Sequence, residues 1–245
     1  MNQYIVVGII LVVLVALLAT NKKLIETLKN IYKIEELRSR ILFTLGLLVI
    51  YRLGSFVTLP GVNHAILEQW TQNFANDGSS LMGLLNIFSG GAFSQASIFA
   101  LGVMPYITAS IIIQLLGIMV PYFRKMQREG ESGRRRMNQW TRFLTIAVLL
   151  LQAPAYLATQ VLSSGAVTVT GDFLGIANGA FIVPAVIILI AGTMFIMWLG
   201  EKITDKGIGN GISLIIMIGI VARLPQSFLQ ELMFQTTGGG SIIML

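Results

Sequence analysis

Long apolar runs alternate along the chain with short polar segments that carry most of its charges. An α-helix rises about 1.5 Å per residue, so about 20 apolar residues cross the roughly 30 Å hydrocarbon core of a bilayer. The pattern therefore predicts an all-α polytopic membrane protein. Its predicted transmembrane helices cover residues 41–60, 99–121, 143–162, 181–199 and 207–224.

The sequence over residues 81–99 differs from that of an ordinary transmembrane helix. A short apolar piece, 81–88, is followed by Ser89-Gly90-Gly91 and a small polar run before the next long apolar segment begins. Lipid offers no partner to free backbone groups, so a half-helix at membrane depth must sit in a cavity lined by protein or water. Gly90 and Gly91 would allow it to swing as a unit. We interpret 81–99 as a re-entrant half-helix, a candidate plug.

The N-terminal part of the chain forms two further segments. Residues 1–21 are uncharged and mostly apolar, and Lys22 and Lys23 follow them. A secretory signal carries its positive charges before the apolar run, so this order favours a membrane anchor with an outside N-terminus over a removed leader. Residues 22–40 mix aliphatic residues with many cations, which is typical of an amphipathic helix on the cytoplasmic membrane surface.

The charges are distributed as membrane topology requires. The loops 61–80 and 163–180 contain no Lys or Arg, whereas 122–142 is dense in both, which places this basic loop inside. Residues 225–245 are predicted to be an external segment followed by the start of a further helix. The composition agrees, with 55% hydrophobic residues, 11% charged residues and a mean hydropathy of +0.78. The net charge of +6 does not indicate a nucleic-acid-binding domain, because the cations lie between apolar runs.

Several kinds of chemistry lack the residues they need. The chain has no cysteine, which excludes disulfides and thiolate metal sites. The five predicted helices from residue 41 onward contain no Asp or Glu, and only Arg52 lies well inside one. Proton relays, cation pumps and intramembrane proteases need ionisable groups at depth. We predict no catalytic residue, metal or cofactor, which leaves a passive conduit or an assembly subunit. Arg52 is either an interfacial anchor or part of a water-lined path.

Two aliphatic pairs have helical spacing. Val103 and Ile107 are four residues apart, as are Ile212 and Ile216, so each pair shares a helix face. Such residues usually contact lipid or a core. A ring of them at a constriction would instead stop hydrated ions, because a narrow apolar neck dewets. The residues alone leave both interpretations open.

Five segments carry a resemblance to a known family. They are YRLGSFVTLPGV at 51–62, NIFSGGAFSQASIFALGVMPYITASIIIQLL at 86–116, REGESGRRR at 128–136, GTMFIMWLGEKITDKGIGNGIS at 192–213 and IVARLP at 220–225. Through them the chain resembles the N-terminal half of SecY, the central subunit of the protein-conducting translocation channel. The likeness covers about residues 23–237 and implies five of the family's ten transmembrane helices, arranged as half of a clamshell. Residues 1–21 are additional to the family pattern.

The resemblance also implies roles for particular residues. The plug and its hinge would comprise Leu84, Leu85, Ile87, Phe88, Gly90 and Gly91. The hydrophobic pore ring would include Val103, Ile107, Ile212 and Ile216. The lateral gate, through which signal sequences and nascent membrane helices reach lipid, would include Thr108, Ile111 and Leu115.

The mechanism implied by the resemblance is physical and not enzymatic. An unfolded preprotein with a signal sequence threads through the neck of a channel in the bacterial inner membrane while the plug swings aside. The SecA motor ATPase or the ribosome supplies the drive, SecE clamps the two halves and SecG lies alongside. The basic loop would contact the motor or ribosomal RNA through Arg124, Lys125, Arg128, Arg134, Arg135 and Arg136. Without the C-terminal half of the channel, we expect the chain not to conduct polypeptide alone.

Two other functions remain as alternatives. A small-solute transporter could bind its substrate at a broken helix near the membrane midplane. The uncharged helices and the lack of inverted internal repeats weigh against it. The other alternative is a non-conducting fragment or assembly subunit.

Overall fold

The computed structural model describes residues 33–75, 86, 89–169, 171, 178–222 and 224 of the 245-residue chain. The predicted apolar segment 1–21, most of the predicted amphipathic helix 22–40 and the C-terminal segment 225–245 lie outside the described residues. The same holds for four of the residues assigned to the plug, which are Leu84, Leu85, Ile87 and Phe88.

The described part of the chain is helical, which confirms the predicted all-α class. It contains no strand, and its only β pairings are two isolated bridges. The helices are α1 (Glu35–Gly54), α2 (His64–Ala75), α3 (Met104–Met119), α4 (Pro121–Arg128), α5 (Glu131–Tyr156), α6 (Gly179–Lys206) and α7 (Gly211–Val221). A π-helical turn, Leu157–Leu162, continues α5.

Helix α1 begins and ends earlier than the predicted span 41–60. Glu35 and Glu36 lie in its first turn and Arg52 in its last, so the charges complement the helix dipole. The chain then becomes extended, and Leu59 N–H donates to the Ala96 carbonyl at 2.9 Å. The end of the predicted span 41–60 is thus not helical, and it pairs with the segment that precedes α3.

Helix α3 begins at Met104, later than the predicted start at residue 99. Residues 89–103, called the turn segment below, form consecutive turns. Gly102 has a φ of 54°, which is outside helical geometry, and Pro105 occupies the first helical turn, where its missing N–H costs no hydrogen bond. The backbone conformation at Gly102 therefore delays the helix.

The predicted basic loop 122–142 is helical. Val120 is extended, as expected of a residue before proline, and α4 then starts at Pro121 at an angle of 99° to α3. Gly130, with a φ of 72°, separates α4 from α5. The cations of this region therefore lie on two helix surfaces and not on a flexible loop.

Two helices in the described ranges are long and apolar enough to cross a membrane. They are α5 with its π-helical continuation (Glu131–Leu162) and α6; the bent pair α3 and α4 would make a third. The predicted spans 143–162 and 181–199 fall inside the first two. Helix α7 is shorter, and α1 is excluded because charged residues occupy its first turns and its last.

Helix α6 lies at the centre of the bundle and supplies two apolar clusters. Leu189 packs with Leu149 of α5 in the first cluster. Ile196 packs with Tyr51 of α1 and Ile215 of α7 in the second. All these aliphatic side chains are fully buried. The turn segment contributes to both clusters, so it is packed between α6 and the remaining helices.

Substitution of Gly192 in α6 is expected to destabilise this bundle. An added Cβ would collide with the backbone carbonyl of Ile98, which cannot move aside as a flexible side chain could. Gly192→Ala should therefore lower the free energy of unfolding by about 1–3 kcal/mol, the usual cost of overpacking. Thermal unfolding in detergent measures the effect. The matched control is Gly46→Ala in α1, where nothing lies within 4 Å. Equal melting temperatures for the two variants would contradict this packing.

Candidate functional site

An apolar cavity of about 540 Å³ lies among α1, α3, α5, α7 and the turn segment. Most of its lining is aliphatic or aromatic, and its polar groups are few. The lining residues are Tyr51, Ser89, Phe93, Ala100, Leu101, Gly102, Val103, Met104, Ile107, Thr108, Gln152, Ala155, Tyr156, Thr159 and Ile216. The cavity therefore offers a mostly apolar surface with little to bind a polar solute or an ion.

Three of the four aliphatic residues assigned to a pore ring line this cavity. Val103 precedes α3 and is buried, and its carbonyl accepts a hydrogen bond from Ile107 N–H at 3.0 Å. Ile107 and Ile216 are partly buried and face the same space. Ile212 belongs to the same apolar cluster, but it contacts Gly200 of α6 and does not line the cavity.

The glycine pair assigned to a hinge forms an ordered turn. Gly90 and Gly91 have φ values of 64° and 97°, which favour glycine. Gly91 N–H donates to the Asn86 carbonyl at 2.9 Å, and Ser94 N–H donates to Asn86 Oδ1 at 3.3 Å. Ser89 Oγ accepts from Phe93 N–H at 3.1 Å. The glycines thus form a hydrogen-bonded corner.

Three neighbouring helices contact this corner. The guanidinium of Arg52 in α1 donates to the Gly90 carbonyl at 3.0 Å. The hydroxyl of Tyr156 in α5 donates to the Phe93 carbonyl at 2.7 Å, and the two rings lie 4.8 Å apart. Gly90 approaches the backbone of Gly219 in α7 so closely that an added Cβ would lie 2.9 Å from the Gly219 Cα.

The sequence pattern did not identify Tyr156 or Gly219. It left two roles open for Arg52, an interfacial anchor or part of a water-lined path. The structure gives Arg52 a protein partner at Gly90, and its guanidinium also lies 4.7 Å from the centre of the Phe56 ring. A tyrosine inside an apolar helix was a usable signal, because a buried hydroxyl needs a hydrogen-bond acceptor. No comparable signal marked Gly219, since glycines are common in such helices.

The residues assigned to a lateral gate lie on one exposed face of α3. Thr108 lies at the cavity, and its hydroxyl donates to the Met104 carbonyl at 3.1 Å. Ile111 and Leu115 are 51% and 52% exposed, and Ile118 continues the face at 66%. An apolar surface therefore runs from the cavity along α3 to the end of the helix.

The six cations assigned to partner binding are all exposed on α4 and the start of α5. Arg135 pairs with Glu131 at 2.9 Å, and Arg136 lies 3.8 Å from Glu129. Such exposed pairs contribute little to stability. The guanidinium of Arg124 donates to the Ile118 carbonyl, so it ties α4 to the end of α3. The region presents a positive surface next to the exposed face of α3.

An ion pair joins α5 and α6 near the same end of the bundle. Arg142 donates two hydrogen bonds to the Glu201 carboxylate, at 3.1 Å and 2.5 Å. Two parallel bonds fix the orientation of both groups, which a single contact would not. This pair therefore adds an oriented polar contact between the two long helices, which pack through buried residues such as Leu149 and Leu189.

These features define a class of protein: a polytopic α-helical membrane protein built around an apolar cavity that a hydrogen-bonded turn segment borders. The family model for SecY matches residues 97–245. The protein translocase subunit SecY of Corynebacterium glutamicum is 44% identical over 198 residues, which are 79% of this chain and 44% of that protein. The SecY subunit of Escherichia coli K12 is 47% identical over 192 residues, 78% of this chain and 41% of that protein.

The chain belongs to the SecY family. It spans less than half the length of these relatives. Two solved structures share its fold: "The structure of a protein conducting channel" and "Sec61 in the Canine ribosome-channel complex from the endoplasmic reticulum". Each superposes with a TM-score of 0.54 at 18% identity and covers 83% of this chain and 42% of the other.

Proposed function

We propose that this chain forms the N-terminal half of a protein-conducting channel that moves unfolded preproteins across a membrane and releases apolar segments sideways into lipid. The observation that carries the proposal is the apolar cavity, which Val103, Ile107 and Ile216 line and the turn segment borders. A neck of aliphatic side chains passes a polypeptide by adapting to it, and it excludes hydrated ions because it dewets.

The exposed face of α3 supports lateral release. Thr108 lies at the cavity, and Ile111 and Leu115 continue from it as an apolar surface. An apolar segment of a translocating chain that leaves the cavity along this face would stay out of water throughout. The proposed lateral gate is therefore the face of α3 that carries these three residues, with the opposite wall supplied by a C-terminal half.

The turn segment and the residues before it form the proposed plug. The corner at Gly90 and Gly91 borders the cavity through its neighbours Ser89 and Phe93. The whole plug, residues 81–99, would close the cavity at rest and move when a preprotein enters. Its closed position is expected to depend on the contacts that three helices make with this corner.

The proposed partners are those that the resemblance to the SecY family implies. SecE would clamp the two halves, SecG would lie alongside, and SecA or the ribosome would drive translocation in the bacterial inner membrane. The positive surface of α4 and α5 suits carboxylates of a motor protein or phosphates of ribosomal RNA. The conduit itself performs no covalent chemistry. The names of the relatives favour this function over the small-solute transporter.

Site-specific crosslinking of a nascent preprotein tests the proposal. A photo-reactive residue at Ile107 should crosslink to a signal-sequence-bearing chain when a C-terminal half is co-expressed, because Ile107 lines the cavity. The control is the same probe at Ile187, which is 61% exposed on α6 and does not line the cavity. Equal crosslinking at both positions, or none at Ile107 in assembled membranes, would identify a non-conducting fragment or assembly subunit.

A further inference from the structure

Residues 94–103 of the turn segment pack into the two apolar clusters, whereas its first residues, 89–93, receive two side-chain hydrogen bonds of different character. Tyr156 is 5% exposed, and it combines a hydrogen bond to the Phe93 carbonyl with a ring contact to Phe93. Arg52 is half-buried and reaches the segment only through the Gly90 carbonyl. The first of these attachment points is therefore buried, and the second is partly exposed.

The cost of breaking these two contacts differs. If Phe93 moves away, the Tyr156 hydroxyl is left inside the apolar cluster without an acceptor, and a buried unpaired hydroxyl is costly. If Gly90 moves away, the Arg52 guanidinium can exchange the carbonyl for water at its exposed edge. It also keeps its position over the Phe56 ring. The Arg52 contact is therefore the one that can open and close reversibly.

The C-terminal end of helix α1 fixes the backbone position of Arg52. The residue lies in the last turn of α1, where the helix dipole favours a cation. Ser55 closes the same helix end, since its hydroxyl donates to the Arg52 carbonyl at 2.7 Å. The donor is a guanidinium, so its hydrogen bond to the carbonyl is charge-assisted. The donor is fixed to the bundle while the acceptor belongs to the turn segment.

We infer that Arg52 is a positioning residue that latches the Gly90 corner of the turn segment in its closed place through the Gly90 carbonyl, while Tyr156 and Phe93 form the fixed end about which this corner moves. The role as a latch for a plug rests on the proposed function. The attachment itself does not, and it can be measured in the resting protein without any translocating chain.

Cysteine labelling tests the latch, because the chain has no native cysteine. Ala92 is 1% exposed and lies between the latch and the fixed end. In Arg52→Met, the labelling rate of Ala92→Cys by a small water-soluble maleimide should rise about tenfold, the effect of losing one charge-assisted hydrogen bond. Arg52→Lys should restore much of the protection, because it keeps a cationic donor.

A second cysteine separates local release from general unfolding. The second reporter is Ala185→Cys in α6. Ala185 is 2% exposed and belongs to the apolar cluster that contains Tyr156. Arg52→Met should leave its labelling unchanged, whereas Tyr156→Phe should raise labelling at both positions. If Arg52→Met leaves the labelling rate of Ala92→Cys unchanged, the latch is overturned. It is also overturned if Arg52→Met raises the labelling rates of both cysteines equally. Crosslinking at Ile107 is independent of this result, so failure of the latch and failure of the channel function are distinguishable.

Discussion

Replacing Ile107 with aspartate is expected to make the resting membrane leak ions. Ile107 faces the apolar cavity together with Val103 and Ile216, where the lining offers little to hold water. A carboxylate there would recruit water into the proposed apolar neck, which would otherwise dewet. Lowering the permeation barrier by about 2 kcal/mol corresponds to a flux increase of about 30-fold.

Ion flux into proteoliposomes that contain this chain and a co-expressed C-terminal half measures the effect. Ile107→Leu is the matched control, since it keeps the volume and the apolar surface. Ile212→Asp provides a second comparison, because Ile212 contacts α6 and does not line the cavity. If Ile107→Asp inserts normally and stays as tight as Ile107→Leu, this residue does not seal the path.

The second large effect is expected at Gly90, where an alanine should displace the turn segment. Gly90 has a φ of 64°, and its added Cβ would lie 2.9 Å from the Gly219 Cα and 3.0 Å from the Gly219 carbonyl oxygen. Left-handed backbone alone costs a non-glycine residue about 1–2 kcal/mol. The collision with a helix backbone adds to that cost, since neither partner can rotate away.

Gly165→Ala is the control that measures the cost of the left-handed backbone without the cost of a collision. Gly165 has a φ of 68°, similar to that of Gly90, but a Cβ added there would meet nothing within 4 Å. Gly90→Ala should therefore lower the melting temperature more than Gly165→Ala, and only Gly90→Ala should raise resting ion flux. Equal losses of stability, with no leak in either variant, would show that Gly90 is under no packing constraint from α7.

The alternation of apolar runs and charged segments was sufficient to predict the all-α membrane class. The two predicted spans 143–162 and 181–199 lie within the helices that are long enough to cross a bilayer. Charge placement carried further information, since the cations of 122–142 are all on helices at one end of α3 and α5. The membrane class, the long spans and the placement of the charges each depend on many residues together, so the conformation of a single residue does not alter them.

Helix boundaries depended on single residues that the apolar pattern conceals. Pro105 and Pro121 mark the starts of α3 and α4, and both were visible in the sequence as favoured first-turn residues. The positive φ of Gly102 was not visible, because glycine is also common inside membrane helices. The helical nature of 122–142 was hidden by its charge, although Met126 and Gly133 are buried on one side of it.

The contacts of the candidate site lie beyond what a local pattern can predict. Arg52 and Gly90 are 38 residues apart, and Phe93 and Tyr156 are 63 apart. Helical spacing correctly places Ile212 and Ile216 on related faces, but it does not determine which neighbour each side chain meets. Only the packing of α7 against α6 turns Ile212 toward Gly200 and leaves Ile216 at the cavity.

The bend of 99° between α3 and α4 has a mechanical consequence. An eight-residue helix is about 12 Å long, so α4 is a lever arm fixed at the corner where α3 ends. Arg124 braces that corner by donating to the Ile118 carbonyl, and the buried Met126 holds the arm against the bundle. A force on the cations of α4 would therefore be transmitted through this corner to α3, the helix that carries Ile107 at the cavity wall.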